Sequence, residues 1–95
     1  NLPGDACVEV PCYIDGTGVH PTKVGKLPAH LAAMNASNIG VQLMTIEAAV
    51  TKDRKKIYQA AMLDPHTAAE LNIGDIIKMC DELIEAHGEY MKDYR

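Results

Sequence analysis

The apolar positions near the start of the chain fall at every second residue. They are Val8, Val10, Cys12 and Ile14. A period of two is typical of a strand with one covered face, so the pattern predicts a strand over residues 6–14. Pro11 has no N–H to donate, and its position is therefore an edge of the sheet, a bulge or the start of the exit from the strand.

A turn and an extended crossing are predicted to follow this strand. Residues 15–18 have the sequence Asp-Gly-Thr-Gly, which is rich in turn-forming types. Residues 19–28 contain two prolines, and we expect them to be extended but too irregular for a second regular strand. The strand and loop region is thus predicted to occupy residues 6–28.

From residue 29 onward the apolar spacing becomes helical. The residues that share one helical face are Ile39, Leu43, Ile46 and Val50. Other apolar residues lie elsewhere on the helical wheel, so we expect a long helix over residues 28–50 that is buried between neighbours. Pro28 suits the first turn of this helix, and Gly40 predicts a kink or a close helix contact.

Beyond this helix the sequence predicts three further helical segments. They are a helix over residues 53–63, a short turn over residues 67–71 and an outer helix over residues 73–92. Thr51 and Asp53 are both candidate N-caps for the first of these, and Thr67 and Glu70 have capping-box spacing. The predicted fold class is therefore α+β, with one N-terminal strand region followed by three to four packed helices.

Composition indicates that these helices pack against a partner surface. Apolar residues make up 47% of the chain, yet it has no Phe and no Trp. Core volume must then come from Ile, Leu, Val, Met and Ala, which suit close helix packing against a partner surface better than an isolated core. Residues 1–95 are long enough for one domain at most, and the chain starts at Asn1 directly in a turn. We therefore expect a fragment that docks on another segment.

Charge and cysteine content narrow the class of protein. The net charge of −4 argues against a nucleic-acid partner, because a phosphate-binding surface needs clustered Lys and Arg. No apolar run approaches the ~20 residues that cross a bilayer, so no membrane partner is expected. No signal-peptide pattern opens the chain. Three cysteines without a disulfide spacing indicate a reducing, cytoplasmic location.

Cys7, Cys12 and His20 are residue types that bind metals, but their spacing does not favour a site. The separation of Cys7 and Cys12 differs from that of structural zinc ligands and places them on opposite faces of a strand. Residues 16–18 lack the third glycine of a dinucleotide-binding loop. Thr17 with a histidine suggests nucleophilic chemistry, yet nothing in the sequence places an acidic side chain beside them.

Glu9 is the charged residue of the predicted strand. A carboxylate between two valines will be at least partly buried if the sheet is covered, and it then needs a hydrogen-bond donor or a raised pKa. The structural interpretation is that Glu9 caps a neighbouring helix or pairs with an Arg of another segment. The functional interpretation, which we weight less, is a direct contact with a substrate.

The order of short motifs along nearly the whole chain resembles the C-terminal portion of glycoside hydrolase family 4. The motifs are VEVPC at 8–12, GVHPT at 18–22, VGKLP at 24–28, LAAMN at 31–35, NI at 38–39, EAA at 47–49, YQAAMLDP at 58–65 and DELIEAHG at 81–88. The segment at 58–65 is more similar to the α-galactosidase and α-glucosidase branch than to the 6-phosphoglycosidase branch. A lactate and malate dehydrogenase C-terminal-like fold is then implied.

The resemblance implies a glycosidase that cleaves α-galactosides or α-glucosides with NAD⁺ and Mn²⁺ as cofactors. In the family the sugar is oxidised at C3, the C2 proton and the C1 leaving group are lost, water adds at C1, and the hydride returns to C3. An N-terminal Rossmann domain binds NAD⁺, and that domain has no counterpart in residues 1–95. The implied partners are this N-terminal part, further copies of the chain and a carbohydrate substrate.

None of the family's catalytic, cofactor-binding or metal-binding motifs has a matching position in this chain. We therefore expect no catalytic, NAD-binding or metal-binding residue here, and we expect the chain alone to be inactive. Glu9 and His20 remain candidates that support a site through neighbouring residues. The alternative interpretation, from the apolar helices and the lack of a complete site, is a non-enzymatic helical protein–protein interaction module.

Overall fold

The computed structural model describes residues 1–95 and has an α+β architecture, with a two-stranded sheet followed by four helices. The elements are β1 (Cys12–Asp15), β2 (Gly18–Pro21), α1 (Ala29–Thr51), α2 (Arg54–Leu63), α3 (Pro65–Glu70), α4 (Ile73–His87) and a 3₁₀ helix (Gly88–Met91). This is the α+β class that the sequence predicts.

The strand region differs from the prediction in two ways. The strand predicted over residues 6–14 is wrong in extent, because β1 starts only at Cys12, directly after the proline that lacks an N–H. Residues 19–28 are also not a wholly irregular crossing, since Gly18–Pro21 forms β2 and pairs antiparallel with β1. A ladder needs a neighbour, and the hairpin provides one for residues 12–15 alone.

Helix α1 is a continuous helix of 23 residues, and within this chain it is covered on one side only, so the predicted burial of residues 28–50 between neighbours stays a prediction. Ile39 and Ala48 are its buried residues, whereas Ile46 and Val50 are 57% and 77% exposed. One side of α1 packs on α2, and the apolar side that carries Ile39 is left uncovered toward its C-terminal end, at Ile46 and Val50. The close helix contact predicted at Gly40 is also wrong, because a Cβ built there would meet nothing within 4 Å.

Polar residues within α1 are accommodated by hydrogen bonds to the preceding turn. Asn35 Nδ2 donates to the Leu31 carbonyl at 2.9 Å, and Thr45 Oγ1 donates to the Val41 carbonyl at 2.8 Å. Each bond pairs the polar side chain with a backbone carbonyl of the same helix, so Asn35 and Thr45 need no other partner. This explains why the interruptions in the sequence pattern do not break the helix.

Helices α2 and α3 each start at an aspartate N-cap. The Asp53 side chain accepts from the Lys55 N–H, so Asp53 is the cap of α2 and Thr51 lies within α1. Asp64 accepts from the Thr67 N–H and caps α3. The predicted short turn over residues 67–71 is therefore displaced, because α3 is Pro65–Glu70 and has proline at its first position.

The last helix is shorter than the predicted range of residues 73–92. Helix α4 ends at His87, and Gly88 adopts a φ of 48°, a left-handed value that glycine tolerates best. A 3₁₀ helix over Gly88–Met91 continues the chain. The tail then returns to the α1–α2 junction, where the Arg54 N–H donates to the Arg95 carbonyl at 2.8 Å.

The core is small and lies along the central helix α2, which contacts α1, α3 and α4. Its buried residues are Ile39, Ala48, Ala60, Ile76 and Cys80. The radius of gyration is 17.3 Å, whereas a compact chain of this length would have about 12 Å. The accessible surface of 7255 Å² also exceeds the ~5,400 Å² expected for a compact protein of this mass. The chain therefore leaves much of its apolar surface uncovered.

No helix of the chain combines the length and the apolar character that crossing a membrane requires.

Candidate functional site

The hairpin β1–β2 carries the one histidine that the sequence singled out, and it orders the residues around it. Tyr13 lies opposite His20 in the ladder, and their rings stack with centroids 4.6 Å apart. Alternate residues of a strand share a face, so Asp15 projects to the same side as Tyr13. A two-residue loop, Gly16 and Thr17, then joins the strands and brings Thr17 back over this face.

Three side chains meet at the turn of this hairpin. Asp15 Oδ1 accepts from the Thr17 N–H at 2.7 Å and from the Thr17 hydroxyl at 2.6 Å, the pattern of an Asx turn. His20 Nε2 lies 3.0 Å from Asp15 Oδ1 and 2.9 Å from Thr17 Oγ1. Because the Thr17 hydroxyl gives its one proton to Asp15, the contact with His20 requires a donating Nε2–H. The cluster thus fixes both the orientation and the tautomer of His20.

These hydrogen bonds also act on the Asp15 carboxyl. The Thr17 hydroxyl, the Thr17 N–H and His20 together lower the pKa of Asp15 below its ordinary value of 3.8. The hairpin therefore stabilises the ionised form of the Asp15 carboxyl. This stabilisation is present above pH 3.8 and is lost as the pH falls through the lowered folded-state pKa of Asp15.

The arrangement corrects the expectation that no acidic side chain lies beside Thr17 and a histidine, because Asp15 contacts both. It still does not form a nucleophilic relay. A relay needs the nucleophile on one ring nitrogen and the acid on the other, whereas both Thr17 and Asp15 contact Nε2 of His20. The cluster is suited to holding the His20 ring in place through Nε2, and Nδ1 takes no part in it.

Asp15 and Tyr13 were not predicted as partners of His20, although the sequence contains a signal for them. A two-residue turn after Asp15 fixes the register of a hairpin. That register places Tyr13 opposite His20 and Asp15 on the same face. Because residues 19–28 were expected to be irregular, neither the second strand nor this cluster was predicted.

Glu9 is exposed in this chain and makes no hydrogen bond or ion pair, so its partial burial, which was expected only under a covered sheet, stays a prediction. The reason for the exposure is that residues 6–11 have no neighbouring strand to cover them. Glu9 lies eleven residues before His20 along the chain and belongs to no cluster with it, and its role as a support residue stays a prediction.

The cysteines do not gather into a ligand set. Cys7 and Cys12 are exposed free thiols, and Cys80 is buried in α4. No group of three or more His, Cys, Asp or Glu side chains is placed to hold a metal ion. Burial raises the pKa of the Cys80 thiol, so this residue packs as a neutral apolar group.

A second polar cluster joins α2 to α4. The Tyr58 hydroxyl donates to Asp81 Oδ1, Arg54 Nε donates to the Tyr58 oxygen at 3.1 Å, and Arg54 Nη2 lies 3.4 Å from Asp81 Oδ1. Both the Tyr58 hydrogen bond and Asp81 raise the pKa of Arg54. Each of these three side chains has a partner within the cluster, which therefore joins α2 to α4.

The Asp15 cluster gives a testable pKa prediction. Thr17→Val removes the hydroxyl that most lowers the pKa of Asp15, so the pKa should rise toward 3.8. Carbon-13 NMR of the aspartate carboxyls in the isotope-labelled full-length protein measures this change. Thr17→Ser keeps the hydroxyl and is the matched control, with a pKa that stays lowered. An unchanged pKa in Thr17→Val would contradict the assigned hydrogen bond.

Comparison with known proteins places the chain in a family. The profile described as "Family 4 glycosyl hydrolase C-terminal domain" matches residues 1–67. The chain is 56% identical over 95 residues to "Alpha-galactosidase" of Bacillus subtilis (strain 168), covering 100% of the chain and 22% of the relative. No solved structure matches it significantly.

Two further relatives belong to the same comparison. "Alpha-galactosidase" of Rhizobium meliloti (strain 1021) is 32% identical over 94 residues, covering 99% of the chain and 19% of the relative. "Maltose-6'-phosphate glucosidase" of Fusobacterium mortiferum is 31% identical over 90 residues, covering 95% of the chain and 20% of the relative. The chain thus spans about a fifth of the length of these curated relatives. The profile match, together with these relatives, shows that the chain belongs to glycoside hydrolase family 4, in the C-terminal domain.

Proposed function

We propose that this chain is the C-terminal part of an α-glycosidase that hydrolyses α-galactosides. The observation that carries the proposal is the identity of 56% over the whole chain to an α-galactosidase. The relative described as a maltose-6'-phosphate glucosidase is 31% identical. This difference favours an unphosphorylated α-galactoside over a 6-phosphoglucoside as the substrate.

NAD⁺ and Mn²⁺ are part of the proposal, but these 95 residues do not fit either group. The chain has an antiparallel hairpin followed by helices, and so it has no βαβ unit with a glycine-rich loop for a dinucleotide. It also has no cluster of three metal-ligating side chains. Both cofactors are therefore assigned to regions of the protein outside this chain, and no chemical step is assigned to its residues.

The role proposed for the chain itself is packing support and subunit contact. Helix α1 has an uncovered apolar side with Ile46 and Val50, and the accessible surface exceeds that of a compact protein. A fold like the C-terminal domain of lactate and malate dehydrogenases, closed by the rest of the enzyme, would cover these surfaces. The free thiols of Cys7 and Cys12 suit a reducing cytoplasm, which is the proposed location.

An assay of the full-length protein tests the proposed function. Nitrophenyl α-galactoside should be hydrolysed faster than nitrophenyl α-glucoside when NAD⁺ and Mn²⁺ are both present. Dialysis against a chelator and omission of NAD⁺ should each abolish turnover, and restoring the missing component should recover it. Full activity without either component would contradict the proposed cofactor dependence, and a preference for the glucoside would contradict the proposed substrate.

A further inference from the structure

Residues 1–11 and 22–27 enclose an opening that the chain itself does not fill. The two segments are held together at one end by Thr22, whose N–H and hydroxyl both donate to the Pro11 carbonyl at 2.9 and 2.7 Å. At the other end the Asn1 side chain donates to the Leu27 carbonyl and accepts from the Leu27 N–H. Between them lies a cavity of about 550 Å³.

The opening arises because its two sides differ in length. Residues 2–10 form one side and residues 23–26 form the other, so the two cannot pair residue by residue in a ladder. The longer side turns back on itself, where the Ala6 N–H donates to the Pro3 carbonyl. The N–H groups of residues 7–10 and 23–26 consequently have no main-chain partner in the chain.

The sequence of the longer side is that of a strand that lacks its neighbour. Val8 and Val10 alternate with charged Glu9, and valine is among the residues most favoured in strands. Val8 is 52% exposed, and Val24 on the opposite side is 63% exposed. Unpaired main-chain groups beside exposed valines at alternate positions are the features of an open sheet edge.

We propose that a β-strand from another region of the same polypeptide lies in this opening and pairs with residues 7–10. An extended segment suits the site, because strands pair at about 4.8 Å and offer free N–H and C=O groups. A helix is about 10 Å across and has already paired its main-chain groups. The match covers 22% of the Bacillus subtilis relative, so most of such a protein lies outside this chain and is the source of the strand.

This inference rests on the proposed function, because it takes the remainder of a family 4 glycosidase as the donor of the strand. The test is hydrogen exchange of the full-length protein, read at single residues by mass spectrometry with electron-transfer fragmentation. Neighbouring N–H groups of a strand point to opposite sides, so the amides of residues 7–10 should alternate between slow and fast exchange. The slow amides should exchange at least about 100-fold slower than unstructured peptide.

A pair of matched variants separates the opening from the rest of the surface. Val8→Asp places a charge inside the opening and should reduce the protection of residues 7–10 at least about tenfold. Val19→Asp is the control, since Val19 is 64% exposed, similar to Val8 at 52%, and lies on β2 outside the opening. This control should leave the exchange of residues 7–10 unchanged.

Several outcomes would overturn the inference. They are exchange at the unstructured rate, uniform protection of all four amides, equal loss in the two variants, and protection that disappears on dilution, which would assign the strand to a second copy. The α-galactoside assay on the same preparation keeps the two proposals distinct. An active enzyme with unprotected amides refutes the added strand alone, whereas protected amides in a protein without α-galactosidase activity refute the proposed function alone.

Discussion

Replacement of Ile46 and Val50 by aspartate in the full-length protein is expected to destabilise it by about 3–5 kcal/mol, the range typical of an unpaired charge left in a buried site. Both side chains lie on one side of α1 and are more than half exposed in this chain. The proposal places this side against another part of the enzyme or against a second copy. Urea titration followed by far-UV circular dichroism and by activity measures the loss.

The chemistry of the substitution makes the result specific to burial. Aspartate and valine have similar helix propensities, so a large loss at Val50 would not come from α1 as an isolated helix. Gln42→Asp puts the same charge at an exposed polar position of the same helix and should change the stability by less than about 0.5 kcal/mol. If the double variant were as stable as this control, the apolar side of α1 would be solvent-exposed in the enzyme.

Size-exclusion chromatography of the same variants identifies what covers α1. If Ile46→Asp with Val50→Asp yields a folded protein of smaller size, the covering surface belongs to a second copy. If the variant loses structure without a change in assembly, the surface belongs to the same polypeptide. Either result means that the side of α1 with Ile46 and Val50 is covered in the full-length protein. If that side were exposed, the double variant would be as stable as the Gln42→Asp control.

The sequence predicted the local signals of this fold well. Asp53 caps α2 through its side chain, and the Asp-Gly-Thr-Gly segment turns the chain at residues 15–18, because caps and turns depend on neighbours within a few residues. Helix α1 likewise follows from its apolar spacing. These elements need no information about distant parts of the chain.

The strand over residues 6–14, the burial of Glu9 and the burial of α1 are expectations about contacts with distant partners. The strand expected over residues 6–14 and the burial of Glu9 both presumed a covered sheet, and residues 6–11 have no neighbour in this chain. The burial of the helix expected over residues 28–50 presumed a second packing surface for α1. In each case the alternation or the apolar face is present, and the missing element is the partner that would use it.

The candidate site could be predicted only in part for a related reason. His20 was identified from its residue type, but its contacts with Asp15 and Tyr13 depend on the register of a two-residue hairpin. The Thr17 hydroxyl fixes the tautomer of His20, which no sequence pattern reveals. The residues that would act on a sugar are expected outside this chain, so its own sequence could not supply them.

The isolated chain of residues 1–95 is expected to lack a cooperative fold as a monomer. Five residues are buried, and the radius of gyration of 17.3 Å exceeds the ~12 Å of a compact chain of this length. So small a core cannot offset the entropy of ordering the chain. The helices should form in part and melt gradually, and any sharper transition should depend on concentration, because it would report association between copies.

A thermal melt of the isolated chain, followed by circular dichroism over about a hundredfold range of concentration, tests the dependence on partners most directly. Sedimentation at each concentration establishes which species is present. We expect a broad loss of helix in the monomer, or a transition whose midpoint rises with concentration. A sharp, concentration-independent transition in a proven monomer would contradict it, because the chain would then be stable without the rest of the enzyme.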